Sequence, residues 1–146
     1  MSLQKFCQQP VITISSDKNI REACQLLRTH NIGCIIAADE GKLSGILTDR
    51  DIALQVTGEG KSLERTTVRE VMTPEPIHIA VDKSLHELTA LMHTYRVRRI
   101  PVIDGDHQVV GIVTLDDVLV LLGEEISDMA RTVSESFLRK PLAADP

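Results

Sequence analysis

Apolar and polar positions alternate over two short stretches, Val11-Ile12-Thr13-Ile14 and Ile77-His78-Ile79-Ala80, and each alternation predicts a strand. After each strand, apolar residues recur every three or four positions. Ile20, Ala23, Leu26 and Leu27 fall on one helical face in the first stretch, and Leu85, Leu88, Leu91, Met92 and Tyr95 do so in the second. Asn19 with Glu22, and Ser84 with Glu87, supply reciprocal capping pairs at the two helix starts. Hairpins follow. Residues 34–38 pair with 43–47 across Asp39-Glu40-Gly41-Lys42, and 99–103 pair with 108–113 across Asp104-Gly105-Asp106-His107, where Asp and Gly supply the positive φ of a tight turn. A second helix then starts near Thr48 or Thr114, with Ile52, Ala53 and Val56, or Val118, Leu119 and Leu122, turned to a core. The order β-α-β-β-α therefore occurs twice, in a fold of the α/β (α+β) class.

The two patterns are copies of one another. A shift of 65 residues lays 12–42 over 77–107 with nine identities in 31 positions, among them Ile12/Ile77, Asp17/Asp82, Glu22/Glu87, Ile35/Ile100 and Asp39/Asp104. Chance gives about two at ordinary residue usage. One added residue in the second hairpin raises the shift to 66 and aligns Gly45/Gly111, Ile46/Ile112, Thr48/Thr114 and Asp51/Asp117. A unit this small buries too little apolar surface to stand alone, so the halves are expected to pack on each other as a pseudo-symmetric pair. The expected boundaries are residues 8–57 and 76–123 for the repeats. Residues 58–75 form a linker whose Thr67–Met72 reads as a short helix stopped by Thr73-Pro74-Glu75-Pro76. A last helix is expected over 124–140, with Ile126, Met129, Ala130, Val133 and Phe137 on one face, and a loose tail over 141–146.

Composition narrows the function. The chain of 146 residues carries net charge −5, and Phe6, Phe137 and Tyr95 are its only aromatics. Neither a basic surface nor base-stacking platforms are present for nucleic acid. No apolar run reaches the length of a membrane helix, and no basic start followed by an apolar stretch opens the chain. Cys7, Cys24 and Cys34 are odd in number and lack a Cys-x-x-Cys, so free thiols in a reducing cytoplasm are expected. No metal-ligand spacing and no nucleophile–base–orienter set can be assembled, so neither a metal nor catalysis is expected.

The informative segments are Gly45-Ile46-Leu47-Thr48-Asp49-Arg50-Asp51 and Gly111-Ile112-Val113-Thr114-Leu115-Asp116-Asp117, each Gly-apolar-apolar-Thr-x-x-Asp. Both place a hydroxyl, a carboxylate and the free N–H groups of a helix start at one spot. Such a set suits a polyhydroxylated, phosphorylated ligand: a fixed carboxylate accepts from ribose hydroxyls, and the helix start meets phosphate. Simple N-capping by Thr48 and Thr114 accounts for the same residue types.

Both repeats resemble cystathionine-β-synthase (CBS) domains, and together they resemble a tandem CBS pair, or Bateman module. The features that carry the resemblance are the two Gly-x-x-Thr-x-x-Asp signatures, the strand Arg98-Arg99-Ile100-Pro101-Val102-Ile103-Asp104 and the linker Val68-Arg69-Glu70-Val71-Met72-Thr73, over residues 8–123. The resemblance implies an adenosine-containing ligand (AMP, ADP or ATP, sometimes NAD or S-adenosylmethionine) between repeats, a homodimer formed through the repeat helices, and regulation of an effector protein. It implies one cleft of Thr48, Arg50, Asp51, Ile77, His78, Arg98, Arg99 and Ile100, and another of Thr114, Asp117, Ile12, Thr13, Cys34 and Ile35. Asp51 and Asp117 would hold ribose, and adenine would lie on Ile77 and Ile100 or on Ile12 and Ile35. Gly33 and Cys34 stand where the second repeat has Arg98 and Arg99, so the Asp51 cleft is expected to be the better phosphate site. The expected function is a stand-alone nucleotide sensor; the alternative is a ligand-free dimerisation platform for a partner protein.

Overall fold

The computed structural model describes residues 3–7 and 11–138. Repeat one contains β1 (Thr13–Ile14), α1 (Ile20–His30), β2 (Cys34–Asp39), β3 (Lys42–Thr48) and the helical turn α2 (Asp49–Asp51). That turn continues as a π-type turn over Ile52–Thr57, closed by the Gly58 N–H donating to the Ala53 carbonyl at 2.8 Å. The linker forms α3 (Val68–Val71) and β4 (Thr73–Pro74). Repeat two contains β5 (Ile79–Ala80), α4 (Leu85–Tyr95), β6 (Arg99–Ile103), β7 (Val109–Thr114) and α5 (Leu115–Leu138). One sheet has the order β1-β2-β3-β4 and the other β5-β6-β7. In each, the first strand runs parallel to the second and the hairpin is antiparallel, with matched shifts of register at Ala37/Ala38 and Val102/Ile103. The β-α-β-β-α order occurs twice, and no described helix is long and apolar enough to cross a membrane.

The helix starts form as their sequences dictate. Asn19 accepts from the Glu22 N–H at 3.0 Å while Glu22 accepts from the Asn19 N–H, and Ser84 with Glu87 repeats the arrangement. Both α1 and α4 stop at a residue in the left-handed region, Asn31 (φ 51°) and Arg96 (φ 54°). Ile20, Ala23 and Leu27 of α1 pack on Ile35, Ala37 and Leu47; Leu88 and Met92 of α4 pack on Ile100, Val102 and Val113. Three residues expected in the core are exposed instead: Tyr95, Ala53 and Leu119. Tyr95 lies at the very end of α4. Ala53 and Leu119 follow Ile52 and Val118, which hold the inward positions.

Two findings depart from the sequence reading. The last helix does not begin after Gly123; α5 runs unbroken from Leu115 to Leu138. Gly123 has nothing within 4 Å of where a Cβ would sit, and the good helix formers around it outweigh a cost of about 1 kcal/mol. The end of the predicted helix beyond 138, and the tail over 141–146, lie outside the described residues. The second finding is an exchange of lead-in segments. A 3-10 turn, Leu3–Phe6, precedes repeat one but buries Leu3 and Phe6 in the core of repeat two. In return, Val68 and Val71 of α3, just ahead of repeat two, lie in the core of repeat one.

Candidate functional site

The two Gly-apolar-apolar-Thr-x-x-Asp segments take matched positions at the end of each hairpin and the start of the following helix. Within repeat one, Cys34 pairs with Thr48 across the hairpin; within repeat two, Arg99 pairs with Thr114. The Asp49 N–H donates to the Gly33 carbonyl at 2.9 Å, and the Leu115 N–H to the Arg98 carbonyl at 2.8 Å, so the same bond locks each strand to the opening helix. Thr48 Oγ1 accepts from the Asp51 N–H at 3.1 Å and Asp51 Oδ2 accepts from the Thr48 N–H at 2.9 Å. This capping box uses one carboxylate oxygen and leaves Oδ1 of Asp51 without a partner among the described residues. Thr114 Oγ1 accepts from the Asp117 N–H at 3.1 Å in the same way.

The glycines of the signature have a steric role. A Cβ at Gly45 would lie 2.4 Å from Met72 Sδ and 2.8 Å from the Thr73 carbonyl oxygen; one at Gly111 would lie 2.5 Å from Cys7 Sγ. Each glycine admits the end of an exchanged lead-in segment. Lys5, Phe6 and Cys7 consequently reach Asp117, and these four residues with Val120 and Leu121 line a cavity of about 240 Å³. The sequence reading assigned no role here to Lys5, Phe6 or Cys7. A signal was available: the 65-residue shift lays Leu3, Phe6 and Cys7 over Val68, Val71 and Met72, in a pairing that shares character but no identical letter.

The arginines divide. Arg96 occupies the left-handed stop of α4. Arg98 is bound to Asp116 of its own repeat, Nη2 to Oδ1 at 2.7 Å, between two exposed side chains. Arg99 reaches across to repeat one, where its Nη2 lies 3.7 Å from where a Gly33 Cβ would sit and the Asp49 carboxylate lies 3.4 Å from the same point. Of the arginines grouped with Asp51, then, Arg98 is engaged elsewhere, Arg99 approaches repeat one, and Arg50 follows Asp49 with its side chain exposed. Burial pushes the Cys34 thiol above its ordinary value; the positive Arg99 opposes that shift and the Asp49 carboxylate adds to it.

The apolar residues divide as well. Ile35 and Ile100, expected to carry adenine, are fully buried in the cores of their own repeats and offer no face. Strand alternation causes this, since each shares the inward face with the residue two further on, Ala37 or Val102. Ile12 and Ile77 remain half-buried, and Thr13 is exposed on β1. His78 is exposed, with Nδ1 3.1 Å from the Pro76 carbonyl oxygen, and lines a groove of about 460 Å³ along α4 with Lys83, Glu87 and Leu91. The matching groove of repeat one, about 380 Å³, is lined by Lys18, Glu22 and Leu26.

Two β-α-β-β-α units with exchanged lead-ins and matched Thr-x-x-Asp helix starts define a tandem-repeat module. The model of the CBS domain matches residues 3–58 and 68–124, so this chain belongs to the CBS-domain family and carries two copies. It is 41% identical over 110 residues to the CBS domain-containing protein YhcV of Bacillus subtilis, covering 75% of this chain and 77% of that one. Among solved structures it is similar to the CBS domain pair of protein MJ0100 in complex with 5′-methylthioadenosine and S-adenosyl-L-methionine. There the TM-score is 0.75 and the identity 34%, over 86% of this chain and 98% of that one. It is also similar to hypoxic response protein I, solved with two coordinated zinc ions, at TM-score 0.73 and 29% identity over 82% of this chain and 97% of that one. Among the described residues here, no group of three or more His, Cys, Asp or Glu could hold a metal ion.

Proposed function

We propose that this chain is a regulatory CBS pair that senses an adenosine-containing ligand, with AMP, ADP or ATP first and NAD or S-adenosylmethionine in the same class. The observation that carries the reading is the twice-built Thr-x-x-Asp helix start, with a carboxylate oxygen of Asp51 left over from its cap. The MJ0100 pair, with its two adenosyl ligands, supports it. Asp51 and Asp117 hold ribose; Arg50 and Arg99 serve phosphate on the Asp51 side, and Lys5 on the Asp117 side. No bond in the ligand is broken. Binding favours one arrangement of the repeats over another, and an effector protein reads the change.

Calorimetry and thermal shift with AMP, ATP, NAD and S-adenosylmethionine test the proposal. A ligand present at about 100 times its Kd raises stability by about 2.7 kcal/mol. Asp51→Ala or Asp117→Ala weakens binding by about 1.5–3 kcal/mol, the worth of a hydrogen bond to a charged group. The reciprocal cap of Thr48 and Asp51 supports a second reading, in which the same residues serve only to start a helix and the module is a dimerisation platform. Absence of a shift with all four compounds at millimolar concentration decides for that reading, whereas unchanged affinity in the double aspartate variant overturns the ribose assignment of Asp51 and Asp117.

A further inference from the structure

Two grooves lie at matched places on the molecule, outside the Thr-x-x-Asp segments. One runs between β5 and α4, about 460 Å³, and the other between β1 and α1, about 380 Å³. Six residues line the smaller groove: Ile14, Lys18, Glu22, Gln25, Leu26 and Thr29. All six matches line the larger one, and five are the same residue: Ile79, Lys83, Glu87, Leu91 and Thr94. The other 25 aligned positions of 12–42 and 77–107 share only four. The fold accounts for two of the five, since Ile14 and Ile79 are core residues and Glu22 and Glu87 are caps. It does not account for the rest. Lys18 and Lys83 have side chains 57% and 51% exposed. Thr29 and Thr94 stand exposed in the last turn of their helices, where threonine is a poor helix former. Leu26 and Leu91 are only half-buried.

We propose that each groove holds the apolar chain of a free long-chain carboxylate, with the carboxylate head at the lysine. Grooves of this size, apolar with a few polar groups at the rim, suit a small ligand. The larger one follows α4 for three turns from Lys83 to Thr94, about 16 Å, over Ala80, Ala90, Leu91 and Ile103. It is an elongated apolar bed with a cation at one end. The lysine has donors to spare. Glu87 Oε2 accepts from the Ser84 N–H at 2.8 Å and the Ser84 hydroxyl at 3.0 Å, while its Oε1 is 3.7 Å from Lys83 Nζ. In repeat one, Glu22 Oε2 accepts from the Asn19 N–H and Oε1 lies 3.5 Å from Lys18 Nζ. Each ammonium carries three N–H groups, and the positive end of the adjoining helix favours an anion at the same place. Gln25 stands where the larger groove has Ala90, so the larger groove is the tighter site. The proposal stands independently of any adenosyl ligand.

The test uses the full chain and sodium dodecanoate below its micelle concentration, read by calorimetry and by amide NMR shifts. Two unequal sites per chain are expected, the tighter one shifting Leu91 and Thr94. Affinity should rise by up to roughly fourfold per methylene from octanoate to dodecanoate, the worth of a buried CH2. Ala90→Phe fills the larger groove from an exposed position. It should weaken the tighter site at least tenfold and leave the melting temperature of the free protein unchanged. Lys83→Gln should weaken dodecanoate severalfold but leave dodecanol binding unchanged, a difference that damage to the fold would not produce. Both sites should persist in the Asp51→Ala/Asp117→Ala variant, so failure here and failure of nucleotide binding are separate results. Absence of dodecanoate binding, or binding undiminished in Ala90→Phe, overturns the proposal. Association with phosphatidylglycerol vesicles but not with free dodecanoate assigns the grooves to a lipid surface and overturns it. A scattering mass that falls in Ala90→Phe, with no carboxylate bound by the wild type, assigns them to contact between copies and overturns it as well.

Discussion

At the scale of single residues, Asp39 and Asp104 show how one letter at matched positions takes two roles. Asp39 gathers hydroxyls: Ser16 Oγ donates at 2.6 Å and Ser15 Oγ at 3.1 Å, Ser44 Oγ donates as well, and the Ser16 N–H adds a bond at 3.0 Å. Arg69 of the linker in turn donates to Ser16 Oγ at 2.7 Å, tying α3 to this cluster. Among the described residues the Asp104 carboxylate accepts only from its own turn, the N–H groups of Asp106 and Gln108. The Ser16 and Ser44 hydroxyls hold the Asp39 carboxyl well below the usual carboxylate range. A folded value below the unfolded one, about 3.9, stabilises the fold above that pH, and the contribution fades as pH falls further. Asp39→Asn should therefore lower stability at pH 7 by about 1.5–3 kcal/mol, with the gap to wild type starting to narrow below about pH 4 and closing only as the pH falls through the much lower folded value. Urea melts at intervals from pH 7 down to pH 2 check this; a gap that stays constant over that range would contradict the charge-based account.

At the scale of elements, Gly111 and Gly123 are twelve residues apart and opposite in meaning. Gly111 lies on β7 with Cys7 pressed against it, whereas Gly123 lies on the open side of α5. Gly123→Ala should stabilise by about 1 kcal/mol, the difference in helix propensity. Gly111→Ala should destabilise by about 1–3 kcal/mol, because its Cβ meets the Cys7 side chain and backbone shifts must make room. Thermal melts of the two variants give opposite signs if this account holds. The contrast also shows what was legible beforehand. Periodicity and capping letters located α1, α4 and both hairpins, because those signals are local. They gave no means of telling a glycine that ends a helix from one that a helix absorbs. At Gly58 the chain closes a π-type turn, and Gly60 follows at φ 67°; after Gly123 comes Glu-Glu with no turn residue. The Thr-x-x-Asp pair was legible as well, since its letters repeat. The role of the arginine just ahead of β6 was not, because Arg98 is claimed by Asp116, a partner that strand spacing does not reveal.

At the scale of the molecule, the exchanged lead-ins make the two repeats a single folding unit. Phe6 is 3% exposed and sits among Val102, Val113 and other core residues of repeat two, although it lies ahead of repeat one in the chain. Phe6→Ala should cost about 3–5 kcal/mol, the usual loss for a buried aromatic. Because the core that is damaged and the segment that carries the residue belong to different repeats, unfolding should remain one transition. Two separated transitions in urea, with only the second displaced, would show that the repeats unfold independently. The exchange escaped the sequence because it is non-local: Leu3-x-x-Phe6 matches Val68-x-x-Val71 in kind, but nothing in the letters says which repeat receives which segment.

The exchange also has an ancestry written into it. Consider one half of this chain made as a separate polypeptide. In the arrangement seen here its lead-in segment would dock away from its own body, since each groove is filled from the opposite half. Two copies of such a half would satisfy one another reciprocally, each lending its opening turn to the other across a two-fold axis. Joining the copies end to end would then convert a swapped pair into an internal clasp without altering a contact. Copies joined in this way need not be identical. Asp39 could collect serines while Asp104 did not, and one helix could stop at its glycine while its twin extended outward.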